Sequence, residues 1–141
     1  MKLNTRGRYA VMALADIANF DRQNPIPLRD ISLRQNISLV YLEQIFLKLK
    51  KNNIVKSIRG TNGGYVLTKN PEQIKLSNIF SAVDEKVKTL QCKRESKRGC
   101  NGRPTKCITH YLWDDLEMHI NDFFDKKNLG DLLKNNLEKR I

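Results

Sequence analysis

The sequence of 141 residues lacks the features of several common protein classes. No stretch approaches the roughly 18 consecutive apolar residues of a membrane span, so we expect no membrane contact. Asp16 and Asn19 interrupt the first apolar segment, which argues against a secretory signal and predicts a cytoplasmic protein. No Ser-His-Asp or paired-carboxylate arrangement is visible, and the segment from Gly60 to Gly64 lacks the lysine and threonine spacing of a phosphate-binding loop. The sequence therefore predicts a protein that is not an enzyme.

Cysteine is scarce, and its three occurrences lie close together. Cys92, Cys100 and Cys107 fall with His110 inside a segment of nineteen residues. Thiols stay reduced in the cytoplasm, so a cluster of this kind indicates metal or redox chemistry. Thiolate sulfur and imidazole nitrogen are good ligands for soft or borderline metal ions. The sequence therefore predicts a metal site with these four side chains as its ligands.

Three hypotheses fit this group of side chains. Structural zinc fits the donor set, but seven and six residues separate the cysteines, and the two-residue spacing usual in zinc loops is absent. A disulfide switch would leave His110 without a role. An iron–sulfur cluster fits a long loop rich in thiolates. Residues 86–107 hold eight basic side chains and one acidic one, and this positive charge favours thiolates over thiols.

Basic residues outnumber acidic ones by 26 to 15, and the excess is uneven. Residues 1–70 hold 12 basic and 4 acidic side chains, whereas residues 71–141 hold 14 and 11. A basic N-terminal half suits a polyanion, and counterion release would make its affinity fall steeply with salt. Charge alone is also compatible with an anionic membrane surface or with a merely soluble basic protein.

The pattern of apolar residues predicts a mainly α-helical fold with a small β-hairpin. A first helix follows Thr5, a two-turn helix spans 28–35, Asn36 turns the chain and Ser38 caps the next helix. Two β-rich segments within 54–68 flank a glycine-rich tip. Helix, short turn, helix and hairpin is the order of a winged helix-turn-helix.

The helix after Ser38 carries short and amide-bearing side chains near its N-terminus, as a recognition helix does. Gln44 could bond adenine through both amide groups, and Glu43 could accept from a cytosine amino group. Val40 could contact a thymine methyl, and the Tyr41 hydroxyl could reach a phosphate. Each side chain alone is equally typical of a solvated helix face. Their order, spacing and charge together favour double-stranded DNA as the partner.

The hairpin tip adds further predicted contacts with DNA. Arg59 is placed to enter a narrow minor groove, where the negative potential is enhanced. Gly60, Gly63 and Gly64 would let the backbone approach the sugar–phosphate edge. The predicted DNA-contacting residues are Ser38, Val40, Tyr41, Glu43, Gln44, Arg59, Gly60 and Gly64.

An amphipathic helix is predicted after the cysteines. Leu112, Leu116, Ile120 and Phe123 fall on one stripe of a helix of about fourteen residues. His119 lies beside this stripe and is predicted to be a surface residue. Leucines at 129, 132, 133 and 137 indicate one more short helix.

Several motifs resemble the Rrf-type winged-helix regulators over roughly residues 1–135. They are Lys2-Leu3, Gly7-Arg8-Tyr9-Ala10-Val11, Ile37-Ser38-Leu39, Tyr41-Leu42-Glu43-Gln44, Arg59-Gly60 and Gly63-Gly64-Tyr65. A second set resembles the members of that family that bind an iron–sulfur cluster. It consists of Ser81-Ala82-Val83-Asp84-Glu85, the three cysteines, Thr109-His110, Leu112-Trp113 and Asp115-Leu116.

The resemblance implies a winged helix-turn-helix with a long C-terminal dimerisation helix. It implies a DNA-binding domain at 1–85, a cluster-binding loop at 86–110, and a dimerisation helix with a short C-terminal helix at 111–141. The implied protein is a homodimer that binds operator DNA and represses iron–sulfur assembly genes when it holds a 2Fe–2S cluster. Glu43 would discriminate between two operator classes, and cluster-delivery proteins would be further partners.

This chain departs from the family pattern at two points. Its cysteines are further apart, and Val40 stands where serine is common. Two alternatives therefore remain beside the 2Fe–2S sensor. One is a regulator of the same family that carries a 4Fe–4S cluster and responds to nitric oxide or iron. The other is a zinc-stabilised module that binds DNA constitutively.

Overall fold

The computed structural model describes residues 4–20, 23–87 and 105–140, and the side chains of these ranges up to residue 134. Six α-helices and one two-stranded antiparallel sheet make up the described part of the chain, so the predicted mainly α-helical fold with a hairpin is confirmed. In chain order the elements are α1 (Thr5–Phe20), α2 (Leu28–Gln35), α3 (Leu39–Lys51), β1 (Val55–Ile58), β2 (Gly64–Leu67), a 3-10 turn (Pro71–Gln73), α4 (Leu76–Ala82), α5 (His110–Lys126) and α6 (Leu129–Arg140).

The turn between α2 and α3 depends on Asn36. This residue adopts a left-handed conformation with φ of 54°, which asparagine tolerates better than most residues. Its backbone N–H donates to the carbonyl of Ser32, and the N–H of Ile37 donates to the same oxygen at 3.2 Å. The Ser32 hydroxyl in turn donates to the carbonyl of Ile37 at 2.5 Å. The turn is therefore closed from both sides and fixes the angle between the two helices.

One hydrophobic core is shared by the four helices α1, α2, α3 and α4, by the hairpin and by the start of α6. Apolar positions spaced three and four apart on α1 and α3 face each other across it, as helical periodicity requires. The fully buried residues include Leu14, Ile31, Leu42, Phe46 and Leu129. Within the described residues, α5 contributes none of the buried apolar side chains of this core.

The hairpin is joined to the helix-turn-helix by backbone hydrogen bonds. β1 pairs with β2 from Val55 opposite Leu67 to Ile58 opposite Gly64. Ile26, just before α2, forms a bridge on the other side of β2: its N–H donates to the Tyr65 carbonyl at 3.0 Å, and its carbonyl accepts from the Tyr65 N–H at 2.9 Å. The hairpin therefore cannot move without the segment that leads into α2.

Gly7 allows α1 and α4 to approach closely. A side chain at this position would overlap the ring of Phe80 and the Cγ atom of Glu85. The Glu85 carboxylate accepts a hydrogen bond of 2.7 Å from the backbone N–H of Asn4, at the N-terminus of α1. A carboxylate is favourable there because the free N–H groups of a helix start carry partial positive charge.

An ion pair between the buried carboxylate of Asp16 and the more exposed guanidinium of Arg34 joins α1 to α2. Asp16 accepts from Nε and Nη2 of Arg34, at 3.0 and 2.7 Å, and from the Gln35 amide at 2.8 Å. The hydrogen bond to Asp16 raises the pKa of Arg34. The guanidinium also lies 4.1 Å from the centre of the Phe20 ring. Every oxygen of this buried carboxylate therefore has a donor.

Several local predictions differ from the structure. Thr5 is the first residue of α1 and not its cap. Ser38 occupies the residue before α3, yet its hydroxyl makes no capping hydrogen bond. The helix predicted at about fourteen residues is α5, which has 17.

Candidate DNA interface and metal-ligand residues

The reading face is the exposed side of α3 that consists of Val40, Glu43, Gln44, Leu47 and Lys51. The opposite side of this helix is buried through Leu42, Ile45, Phe46 and Leu49. Because the spacing within the reading face is three or four residues, its side chains project in one direction. The structure thus brings together three of the predicted contact residues on one surface. Sequence reasoning had not singled out Leu47, although it continues the spacing of Val40 and Gln44.

Tyr41 lies on the side of α3 that faces α1. Its hydroxyl is 3.1 Å from the hydroxyl of Thr5, and its ring meets that of Tyr9 edge to face at 5.7 Å. The predicted phosphate contact would therefore be made from a position that also fixes α3 against α1. A phosphate oxygen near Tyr41 would be within reach of Thr5 as well, a pairing that the sequence did not indicate.

The hairpin tip presents Arg59 and Gly60 to solvent. Gly60 has a φ of 126° and nothing within 4 Å of the position that a side chain would take, so its backbone is open to a ligand. Gly64 differs, because a side chain there would overlap the backbone of Ile26. Its φ of 156° also favours glycine. Gly64 is thus required for the packing of the hairpin against Ile26, and its contact with DNA stays a prediction.

Basic side chains surround the reading face. Lys48, Lys50 and Lys51 occupy the last turn of α3, and Lys56 is exposed on β1. Lys48 donates to the Asp84 carboxylate at 2.9 Å, and this hydrogen bond holds the pKa of Asp84 below its ordinary value. The remaining lysines of α3 project from the end of the helix, where they favour contact with phosphates.

The predicted metal ligands are described only in part. Cys92 and Cys100 lie outside the described residues. Cys107 is exposed and precedes α5, and its sulfur is 3.5 Å from the Thr109 hydroxyl. His110 begins α5; its N–H donates to the carbonyl of Cys107 at 3.0 Å, and its side chain is only 2% exposed. Cys107 therefore lies before the helix, whereas His110 is its first residue.

Within the ranges 4–20, 23–87 and 105–140, no group of three or more His, Cys, Asp or Glu side chains is arranged to hold a metal ion. A complete ligand set for the predicted site would need the two cysteines between Val87 and Thr105. His119 is exposed on α5, as predicted. No helix in the same described ranges has the length and apolar character needed to cross a bilayer.

A helix-turn-helix with a hairpin joined to it and an exposed, lysine-flanked reading face defines a winged-helix DNA-binding protein. A model of the Rrf2 family, described as iron-dependent transcriptional regulators, matches residues 3–135. This chain belongs to the Rrf2 family. It is thus a DNA-binding transcriptional regulator and not an enzyme.

Similar proteins support this assignment. The HTH-type transcriptional regulator IscR of Vibrio campbellii is 48% identical over 136 residues, which cover 96% of this chain and 79% of that protein. IscR of Cronobacter sakazakii is 47% identical over 135 residues, 96% of this chain and 82% of the relative.

Two solved structures resemble this fold. IscR of T. potens has a TM-score of 0.78 and 30% identity, and the match covers 100% of this chain and 92% of that one. CymR, the global cysteine regulator of B. subtilis, has a TM-score of 0.80 and 27% identity, with 96% and 98% covered. The winged-helix fold predicted from the sequence is thereby confirmed.

Proposed function

We propose that this protein represses iron–sulfur assembly genes and senses the supply of clusters through a bound 2Fe–2S cluster. The observation that carries the proposal is the occurrence, in one chain of an iron-dependent regulator family, of a DNA-reading face and a soft-ligand segment. The work would be divided among residues 1–85 for DNA binding, 86–110 for the cluster, and 111–141 for dimerisation. Its location would be the cytoplasm, where the thiols stay reduced.

The donor chemistry fits such a cluster. Cys92, Cys100, Cys107 and His110 would be the ligands, three thiolates and one imidazole. Cys107 is already exposed just before α5, so its sulfur is accessible to an incoming cluster or to a cluster-delivery protein. When bound, the cluster would supply a redox-active and labile group whose occupancy follows cellular supply. Imidazole is protonatable and binds less tightly than thiolate, so His110 contributes to that lability.

Residues 82–85, which lie before the cysteines, contact the start of α1 and the end of α3. Asp84 accepts from Lys48 of α3 at 2.9 Å, and the carbonyl of Ala82 accepts from the Asn52 amide at 3.4 Å. Glu85 accepts from Asn4 at the start of α1. A change in the chain after Val87 would therefore act on α1 and α3 through residues 82–85. These contacts support communication between the cluster segment and the reading face.

The exposed side of α5 supports a homodimer. Leu112, Leu116, Ile120 and Phe123 form the α5 stripe, and its two outer members are more than half exposed. Tyr111 and Trp113 add exposed aromatic surface at the same end. A contiguous apolar surface of this kind on a soluble protein marks an interaction site. In the proposed dimer, α5 would cross its counterpart and set the distance between the two reading faces.

Anaerobic purification followed by a visible spectrum and iron and sulfide counts tests the cluster directly. Structured absorption with about two irons and two sulfides per chain is the expected result. About four irons would favour the nitric-oxide- or iron-responsive regulator, and one zinc without colour would favour the constitutive zinc module. Colourless, metal-free protein would be reconstituted with iron and sulfide before the count. Cys107→Ala should lose the absorption while its far-ultraviolet circular dichroism stays unchanged.

Operator binding completes the test. The cluster-bound protein should protect promoters of iron–sulfur assembly genes, and removal of the cluster should shift its preference towards a second class of sites. The ratio of the two affinities is the quantity to compare, because a general loss of binding would equally follow from damage to the protein. A ratio that does not change with cluster occupancy would contradict sensing and leave a constitutive regulator.

A further inference from the structure

The reading face carries two exposed apolar side chains. Val40 is 63% exposed and Leu47 is 67% exposed. Seven residues are just short of two helical turns, so the two side chains project almost in line along the helix. Glu43 and Gln44 lie between them on the same face. A leucine side chain has no group that can hydrogen-bond to a phosphate. If Leu47 contacts DNA, the contact must therefore be with an apolar group of the DNA.

Thymine supplies the apolar surface that the major groove offers. Its C5 methyl group projects into the groove and distinguishes it from cytosine and from uracil. Lys50 and Lys51, at the end of α3, are placed to bind the phosphates that border the groove. The positive charge of these lysines beside Val40 and Leu47 therefore favours a nucleic acid over an apolar protein as the partner.

We propose that Leu47, together with Val40, reads thymine methyl groups in the operator, so that each half-site carries two thymines that are recognised by their methyls. The rise along seven helical residues is about 10 Å. This corresponds to about three base-pair steps along one strand. The proposal rests on the DNA-binding role of α3 and adds Leu47 as a residue that determines specificity.

Replacement of thymine by deoxyuridine removes the methyl and leaves every hydrogen-bonding group in place. A preferred duplex would first be selected from a random library with the full-length, anaerobically purified protein. Each thymine would then be replaced singly by deoxyuridine, and the dissociation constants compared at one salt concentration. Two positions per half-site, about three base-pair steps apart, should each lose about three- to fivefold in affinity.

The variants assign each methyl to a side chain. Leu47→Ser should abolish the deoxyuridine penalty at one thymine and keep it at the other, whereas Val40→Ser should do the reverse. Leu47→Met should retain both penalties, because its side chain is still apolar. Leu33→Ser is the matched control: Leu33 is 76% exposed on α2, off the reading face, so both penalties should remain. All three positions are largely exposed, so the four variants should melt near the wild-type temperature.

Two results would overturn the proposal. One is a selected site in which no deoxyuridine replacement weakens the wild-type protein. The other is a Leu47→Ser variant that keeps both penalties or weakens thymine and uracil duplexes equally, which would assign Leu47 to the DNA backbone. Failure to select any sequence would be a different outcome, because it would contradict the regulator function itself.

Discussion

We call helices α1 to α4 with the hairpin the reading head. The reading head and α5 differ in how far their apolar side chains are buried. The reading head buries its leucines, isoleucines and Phe46 within one chain. α5 is longer than any of the other described helices but contributes no fully buried apolar side chain to that core; Phe124 packs against it half-buried, and Leu112 and Phe123 of the α5 stripe are more than half exposed. The difference indicates that the reading head is stabilised by contacts within the chain, whereas the α5 stripe is available for the proposed dimer contact.

The largest effect should follow from charge on the α5 stripe. Leu112→Glu combined with Phe123→Glu should place carboxylates in the proposed interface and yield a monomer of 16.4 kDa. Operator affinity should fall roughly a hundredfold or more, because two linked reading heads bind far more tightly than one. Light scattering gives the mass and footprinting the affinity.

Met118→Glu is the control for that experiment. Met118 is also exposed on α5, but it lies off the stripe, so the dimer should persist. A wild-type protein that is already monomeric, or a stripe variant that keeps twice the monomer mass, would show that α5 is not the dimer contact.

Within the reading head, we expect a large loss of stability from substitution of Asp16, whose buried carboxylate pairs with Arg34. Asp16→Ala leaves the Arg34 and Gln35 donors without their acceptor, and we expect a loss of about 2 kcal/mol in the free energy of unfolding. Urea denaturation measures it. Asp115→Ala on the exposed face of α5 should cost less than about 0.5 kcal/mol. Equal losses in the two variants would contradict the contrast between the regions.

The start of α5 should behave like the reading head and not like the rest of α5. In metal-free protein, His110→Ala removes a buried ring and should cost about 1 to 2 kcal/mol. Cys107→Ala, three residues earlier and exposed, should cost less than about 0.5 kcal/mol. Thermal melts of both variants would decide. If His110→Ala left the free energy of unfolding unchanged, the buried ring would not stabilise the fold, and its role would be limited to metal ligation.

The smallest effect concerns the ion pair between Lys48 and Asp84. Lys48 lowers the pKa of Asp84 from its ordinary value of 3.8, so the folded state binds the proton less readily than the unfolded chain. The resulting stabilisation is present above pH 3.8 and is lost as the pH falls through the lowered value. Lys48→Gln should therefore melt slightly below the wild type at pH 7 and together with it at pH 2. A difference of the same size at both pH values would assign it to another contact of Lys48.

The sequence predicted what depends on local periodicity and missed what depends on neighbours far along the chain. The bounds of α2 and the turn at Asn36 follow from apolar spacing and from the tolerance of asparagine for positive φ. The approach of Tyr41 to Thr5 joins residues 36 positions apart, and no local pattern contains it. The burial of His110 is likewise not indicated by its local sequence, because the neighbouring Tyr111, Leu112 and Trp113 are all exposed. All four predicted ligands remain predictions, and two of them, Cys92 and Cys100, lie outside the described residues.

The bridge between Ile26 and Tyr65 has a consequence for the shape of DNA that this protein accepts. Because β2 is bonded to the chain entering α2 as well as to β1, Arg59 and the reading face belong to one rigid unit. The separation between Arg59, which is predicted to enter the minor groove, and the reading face, which is predicted to enter the major groove, is then already set in the free protein. Such a unit measures the distance between adjacent grooves, so an inserted base pair between the two contacts would shift one of them out of reach even where every contacted base is retained.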